Sequence, residues 1–125
     1  MRDNNILLPK SALKVYIENL LTEWQRRFKM QDWNINVIIS NAKKVDCCGK
    51  VKAVIDYKTA TIWIYPNVIK SVQKRFPDET INAVVAHEFA HLVIYNNMAV
   101  GDDHGVSEEK LTEQLSHIIL DQNRR

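Results

Sequence analysis

The sequence has 125 residues, of which 46% are hydrophobic and 26% are charged. This length and composition are typical of one globular domain that buries an apolar core without disulfide bonds, and they exclude an intrinsically disordered chain. Basic residues outnumber acidic ones by only 17 to 15, so the charge gives no strong sign of nucleic-acid binding. No apolar run reaches the roughly 18 residues of a membrane span. We therefore expect residues 1–125 to form a single soluble domain.

The N-terminal residues and the cysteines point to an intracellular protein. The stretch MRDNNILLPK contains an acid and lacks an apolar h-region, so it is not typical of a signal peptide, and we expect a cytoplasmic location. Cys47 and Cys48 are adjacent, a spacing that suits neither a zinc site nor a usual disulfide. We interpret them as buried or half-buried strand residues in a reducing compartment.

The first half of the chain predicts one helix and three strands. Apolar residues at steps of three and four predict an amphipathic helix over residues 11–28, entered through Pro9. Alternation in WNINVIIS, GKVKAVIDY and TATIWIYP predicts strands, the last of them stopped by Pro66. Short connections favour antiparallel pairing of strands that follow one another in sequence.

Helices fill the second half. NVIKSVQKRF predicts a short helix, and a long helix is expected from Glu79 to about Asn97, with Asp78 as its N-cap. Its apolar residues surround the helix axis, which indicates a buried helix. Ser107 is expected to cap a last amphipathic helix, SEEKLTEQLSHIILDQ. The order of elements predicts an α+β fold.

The buried helix contains HEFAH, an HExxH motif at residues 87–91. Positions i and i+4 lie above one another on a helix, so His87 and His91 can direct two imidazoles to one point. Imidazole is a good zinc ligand, and a metal compensates the cost of burying ionisable groups. Glu88 lies about 100° round the helix from His87, where it can take a proton from a metal-bound water. The motif predicts a Zn²⁺ peptidase site; the alternative is a chance match of two hydrogen-bonded histidines and an unrelated glutamate.

A catalytic zinc usually has a third protein ligand and one open position for water. The pattern HExxHxxGxxH is absent, because Ile94 stands in place of its glycine and Asn97 in place of its histidine. The third ligand must therefore come from further along the chain. The candidates are Asp102, Asp103, His104, Glu108, Glu109 and Glu113.

Helical phase favours Glu108 among these candidates. The expected inward face of the last helix consists of Leu111, Leu115, Ile118 and Ile119. With Leu111 at 0°, Glu108 falls at about 60°, inside that face, whereas Glu109 at about 160° and Glu113 at about −160° point outward. The alternative for Glu108 is an acid favoured by the helix dipole.

Three further polar residues near the predicted site have different expected roles. Thr112 follows Glu108 by one turn and is placed to support a ligand through its hydroxyl. His104 is the rival third ligand, since a loop can place it near the metal. His117 is expected to be solvated.

In these features the chain resembles the gluzincin metallopeptidases, and most of all their smallest members, the minigluzincins and related phage or prophage open reading frames. The resemblance spans nearly the whole chain: the N-terminal helix, WNINV, GKV, ATIWIYP, HEFAH and SEEKLT. It implies a minimal zincin fold with an N-terminal backing helix, a small three-stranded and mainly antiparallel sheet, a buried active-site helix and a C-terminal helix bearing a glutamate. It implies His87, His91 and Glu108 as zinc ligands and Glu88 as general base.

The chain departs from larger gluzincins, which steady the transition state with a histidine or tyrosine from a C-terminal subdomain. No such subdomain is expected here, although Tyr95 or His104 can approach the metal. NNMAVGDDHG is also similar to the SprT-like metallopeptidases, which would make His104 the third ligand.

The sequence thus predicts a zinc-dependent metallopeptidase acting on a peptide or protein that lies along an exposed sheet edge, expected at TATIWIYP. The alternative is a zinc-binding scaffold or interaction protein of the same fold without useful turnover. A nucleic-acid binder is a third possibility that would need a clustered basic face. The sequence does not determine the oligomeric state.

Overall fold

The structure, a computed structural model, describes residues 8–41, 47–97 and 112–120. Its elements are the helix α1 (Lys10–Arg27), the strands β1 (Asn34–Ile39) and β2 (Gly49–Val54), a 3₁₀ turn (Ile55–Tyr57), the strand β3 (Thr59–Ile64), and the helices α2 (Pro66–Val72) and α3 (Ile81–Asn97). A fourth helix, α4, covers residues 112–120. These elements confirm the α+β class and the predicted order of helices and strands.

Several predictions from the sequence fall outside the described residues. They concern the cap Ser107, Leu111 of the expected inward face, and the ligand candidates Asp102, Asp103, His104, Glu108 and Glu109. Within the described ranges, no helix combines the length and the apolar character needed to cross a membrane.

The sheet is mixed, and its order is β1–β3–β2. β3 is the central strand: it runs parallel to β1, with Val37 opposite Ile62, and antiparallel to β2, with Val51 opposite Ile62. The prediction of antiparallel sequential neighbours is therefore confirmed for β2 and β3 and wrong for β1, which pairs with β3 in parallel instead of with β2. β2 and β3 are joined by a tight connection, which consists of the 3₁₀ turn and Lys58 at φ 51°, and a connection this short requires antiparallel neighbours. The longer connection between β1 and β2 does not impose this pairing.

One face of the sheet carries the core. Ala60, Ile62 and Ile64 of β3 are buried, while the residues between them are only partly covered. α1 packs on β1 and presents a buried stripe at the predicted helical spacing: Leu13, Ile17, Leu21 and Trp24. α3 packs against β2 and β3 and is buried around most of its circumference, as its sequence predicts.

Polar contacts near both ends of α3 join it to the first part of the chain. The Tyr16 hydroxyl of α1 donates to Oδ1 of Asn82 at 2.5 Å, and Nε1 of Trp33 donates to Oδ1 of Asn96 at 2.9 Å. Because the two contacts lie almost four turns apart, they oppose tilting of the helix relative to α1 and β1.

The start of α3 differs slightly from the prediction. The hydroxyl of Thr80 accepts a hydrogen bond from the amide of Ala83 at 3.2 Å, which is the geometry of an N-cap. Asp78 is not the cap, because the first helical residue is Ile81 rather than Glu79. Asp78 and Glu79 thereby lie in the approach to the helix and not within its first turn.

Gly49, the first residue of β2, lies very close to β3 and α3. A Cβ atom there would lie 2.8 Å from the carbonyl oxygen of Trp63 and 3.1 Å from Cγ1 of Val84. The first of these atoms belongs to the backbone and cannot move by a side-chain rotation. A glycine is therefore required for β2 to approach the buried helix this closely.

We predict that Gly49→Ala lowers the free energy of unfolding by about 1–3 kcal/mol, because the added methyl group forces β2 away from β3 and α3. Urea denaturation followed by circular dichroism measures this loss. Lys52→Ala, an exposed change on the same strand, is the control and should alter stability by less than about 0.5 kcal/mol. Equal stability of the two variants would contradict the close approach.

Candidate metal centre

The packing of the phenylalanine of HEFAH fixes the rotation of α3 about its axis. Phe89 is fully buried, with its ring centre 5.8 Å from those of both Trp24 and Phe28. His87 lies about 200° round the helix from Phe89, so this packing turns it to the opposite side of α3. His87 and His91 are accordingly half-buried, while Glu88 is only 7% exposed.

The two histidine rings have a geometry suited to one shared ion. Their ring centres are 5.0 Å apart, and their planes are inclined at 83°. Two imidazoles that bind one tetrahedral zinc through bonds of about 2.0–2.1 Å place their ring centres about 5 Å apart. The separation of the two ring centres is therefore the one expected for two imidazoles on a single zinc ion.

α4 contacts both rings at Nδ1. Oε1 of Glu113 lies 2.9 Å from Nδ1 of His87, and the Thr112 hydroxyl lies 3.4 Å from Nδ1 of His91. When Nδ1 of His87 donates its proton to Glu113, the lone pair of that ring is on Nε2, the atom that would ligate a metal. The side chains of α4 thus serve to orient the imidazoles of α3.

The predicted inward face of α4 was partly wrong. Thr112, Ser116 and Ile119 are buried, whereas Ile118 is 50% exposed. Glu113, expected to point outward, is exposed to solvent and still contacts His87. Thr112 does lie where the sequence places support for a ligand. The inward face was misjudged because it was inferred from apolar residues alone, whereas two of the buried residues of α4, Thr112 and Ser116, are polar.

A cavity of about 770 Å³ opens beside the motif. Its lining includes His87, Glu88 and Glu113 together with the start of β2 and the chain before α3. Four carboxylates contribute to it: Asp78, Glu79, Glu88 and Glu113. His117, exposed to solvent as predicted, also lines this cavity.

Both cysteines lie on the wall of the cavity. They directly precede β2 instead of lying within it, so the prediction that they are strand residues was wrong. Cys47 is exposed and Cys48 is half-buried, so the predicted burial is confirmed only for Cys48. Burial, reinforced by the charges of Glu79 and Glu88, raises the pKa of the Cys48 thiol to about 11. This thiol is therefore neutral near pH 7 and a poor nucleophile.

Glu79 is half-buried in the same wall. Burial raises the pKa of its carboxyl group, and the charge of Glu113 acts in the same direction, while that of His87 opposes both. Helical spacing could not have associated Glu79 with the site, because Glu79 precedes the helix that carries His87. Sequence reasoning missed Glu79, Cys48 and Phe76 as cavity residues because none belongs to a motif.

Within the described residues, no group of three histidine, cysteine, aspartate or glutamate side chains is arranged to hold a metal ion. The structure brings together the rings of His87 and His91 and places His87 and Glu88 in the wall of one cavity, whereas the predicted third ligand Glu108 lies outside the described ranges. Comparisons with protein-family models, with curated proteins and with solved structures found no match for this chain.

We predict that Glu113→Ala weakens zinc binding by about 10–100-fold, because Nδ1 of His87 loses its acceptor. Competition titration with a zinc-binding dye measures the dissociation constant. Gln114→Ala, an exposed change at the next position of α4, is the control and should leave affinity unchanged. An unchanged affinity for Glu113→Ala would show that this contact does not orient His87.

We also predict that Glu79→Gln stabilises the protein at pH 7. A carboxyl whose pKa is raised by folding favours the protonated folded state, so its charged form opposes folding at neutral pH. Glutamine resembles the protonated form, and its advantage should disappear as the pH falls below the ordinary glutamate value of 4.5. Urea denaturation from pH 3.5 to 7.5 tests this; an advantage independent of pH would contradict it.

Proposed function

We propose that this protein is a zinc-dependent metallopeptidase in which Glu88 activates the attacking water. The observation that carries the proposal is the pair of imidazoles with ring centres 5.0 Å apart, next to a buried carboxylate at the wall of a large cavity. Glu88 is only 7% exposed and lines the cavity together with His87, so its carboxylate lies beside the imidazole that would ligate the metal.

His87 and His91 would hold the zinc through Nε2. When bound, zinc supplies a Lewis acid that polarises the scissile carbonyl and makes water more acidic. Glu88 follows His87 directly on α3 and lines the cavity, so its carboxylate can accept a proton from the attacking water and later pass it to the leaving amine. Glu113 and Thr112 hold the two imidazoles in position throughout the reaction.

We propose Glu108 as the third ligand, four residues before Thr112 in the sequence. The contact between Glu113 and His87 adds Glu109 as a competing candidate, because Glu109 precedes Glu113 by four residues and would share its face in the helix that the sequence predicts from SEEKLT. His104, the ligand that the SprT-like resemblance implies, is the third possibility.

A peptide substrate would lie along β2, not along TATIWIYP as the sequence suggested. The stretch TATIWIYP contains β3, which is paired on both sides, so it offers no free edge. Among the described residues, β2 pairs only with β3, and its first residue, Gly49, lines the cavity next to Cys48. An extended peptide that adds to the free edge of β2 would therefore run directly into the proposed catalytic site.

A zinc-binding scaffold without turnover is the second candidate function. Tyr95, one of the residues considered for stabilising the transition state, stacks on His91 with ring centres 6.0 Å apart and planes inclined at 26°. This packing gives Tyr95 a structural role beside the ligand. Without a second electrophile the oxyanion would be stabilised less well, which favours slow turnover or none.

We predict that Glu88→Gln keeps zinc and loses at least about 100-fold in peptide hydrolysis, because the amide cannot accept the proton. His87→Ala should lose both zinc and hydrolysis. Metal analysis of purified protein and cleavage of a diverse peptide library followed by mass spectrometry are the two measurements. Full activity of Glu88→Gln would contradict the mechanism, and zinc binding without any cleavage by the wild type would favour the scaffold.

The third ligand is identified by the same metal analysis on Glu108→Ala, Glu109→Ala and His104→Ala. We expect Glu108→Ala to lose zinc. Loss in Glu109→Ala would select the alternative that the Glu113 contact suggests, and loss in His104→Ala would support the SprT-like arrangement.

A further inference from the structure

The cavity beside the candidate metal centre is negatively charged. Among the described residues that line it, acidic side chains have no lysine or arginine to balance them. Glu88 and Glu113 belong to the proposed machinery, since one activates water and the other contacts His87. Asp78 and Glu79 have no such role, and they lie together in the chain leading into α3.

No salt bridge neutralises Asp78 or Glu79 within the part of the chain that the structure describes. Arg26 and Arg27 pair with Glu23, and Lys58 pairs with Asp32; both of these acids lie in the first third of the sequence. Asp78 is exposed, and Glu79 is half-buried. The charged form of Glu79 lowers stability, because burial and Glu113 raise its pKa. An acid kept at a cost to stability is more typical of a binding surface than of a structural element.

An exposed aromatic ring lies beside these acids. Phe76 lines the same cavity and is 62% exposed, which is unusual for a phenylalanine. The guanidinium carbon of Arg75 lies 6.0 Å from its ring centre, so the ring is already within reach of a cation. A lysine or arginine side chain has an apolar stem and a charged head. The stem can pack on an aromatic ring while the head pairs with carboxylates beyond it.

We propose that the cleft selects peptides carrying a lysine or arginine close to the bond that is cut, with the stem on Phe76 and the cationic head between Asp78 and Glu79. This inference rests on the proposed peptidase function and names its substrate class. The cavity of about 770 Å³ accommodates a long basic side chain together with the peptide backbone along β2. A basic peptide also gains from the general attraction of the acidic wall, which salt screens.

The test uses matched peptides that differ only in one residue, lysine or its uncharged analogue norleucine, with a fluorophore and quencher at the ends. We expect kcat/KM to be at least about tenfold higher for the lysine peptide at low salt, and the ratio to decrease as salt rises. In the double variant Asp78→Asn/Glu79→Gln the ratio should fall to within about twofold. Phe76→Ala alone should reduce it partially.

Asp56→Asn is the control, since this exposed acid lies in the 3₁₀ turn and does not line the cavity. It should leave the lysine preference unchanged. Thermal denaturation of each variant identifies any that fails to fold, and the salt dependence of the wild type then still tests the charge preference.

A measurement of peptide binding distinguishes the failure of this inference from the failure of the proposed peptidase function. Fluorescence anisotropy of the two peptides with zinc-loaded Glu88→Gln protein does not depend on turnover. Tighter binding of the lysine peptide with no cleavage by the wild type would support the basic preference and contradict the peptidase. Cleavage of both peptides at equal rates, or an unchanged preference in the double variant, would overturn the basic preference and leave the peptidase standing.

Discussion

The packing of Phe89 against Trp24 and Phe28 is the constraint on which the candidate site depends. A helix buried on most of its surface could present any face to the cavity, and its apolar pattern alone does not select one. Phe89 is held by the two aromatic rings at the end of α1, each 5.8 Å away, and this contact fixes the rotation of α3. Tyr16 and Trp33, which donate to Asn82 and Asn96, fix its tilt. Residues of α1 and of the segment between α1 and β1 therefore fix the orientation of the helix that carries the histidines.

The opposite side of α3 has a different chemistry. There α4 offers Thr112 and Glu113 to the two imidazoles, and the cavity wall adds further carboxylates. Half-buried acids and imidazoles contribute little to stability and often reduce it, as the raised pKa of Glu79 indicates. One side of α3 thus packs against aromatic rings and stabilises the fold, whereas the other side is polar and reduces the stability of the folded state. Such a division is expected where a helix carries a functional site.

Features governed by local spacing were predictable from the sequence. The apolar residues of α1 recur at helical steps, and HEFAH lies in a long apolar helix, so both helices and the approach of His87 to His91 followed from periodicity. The order of the strands did not follow, because β1 pairs directly with β3 although β2 lies between them in the sequence, and no local signal encodes that pairing. The contact of Glu113 with His87 could not be predicted from the sequence either. It depends on how α4 is rotated about its axis, and the buried residues of α4 include the polar Thr112 and Ser116 but not the apolar Ile118.

The most direct test of the central claim is a crystal structure of protein prepared with zinc, with data collected on both sides of the zinc absorption edge. The account predicts one anomalous peak about 2.0–2.1 Å from Nε2 of both His87 and His91, and a third protein atom at a similar distance. No peak at that position, or a zinc bound elsewhere with the two rings turned apart, would contradict it.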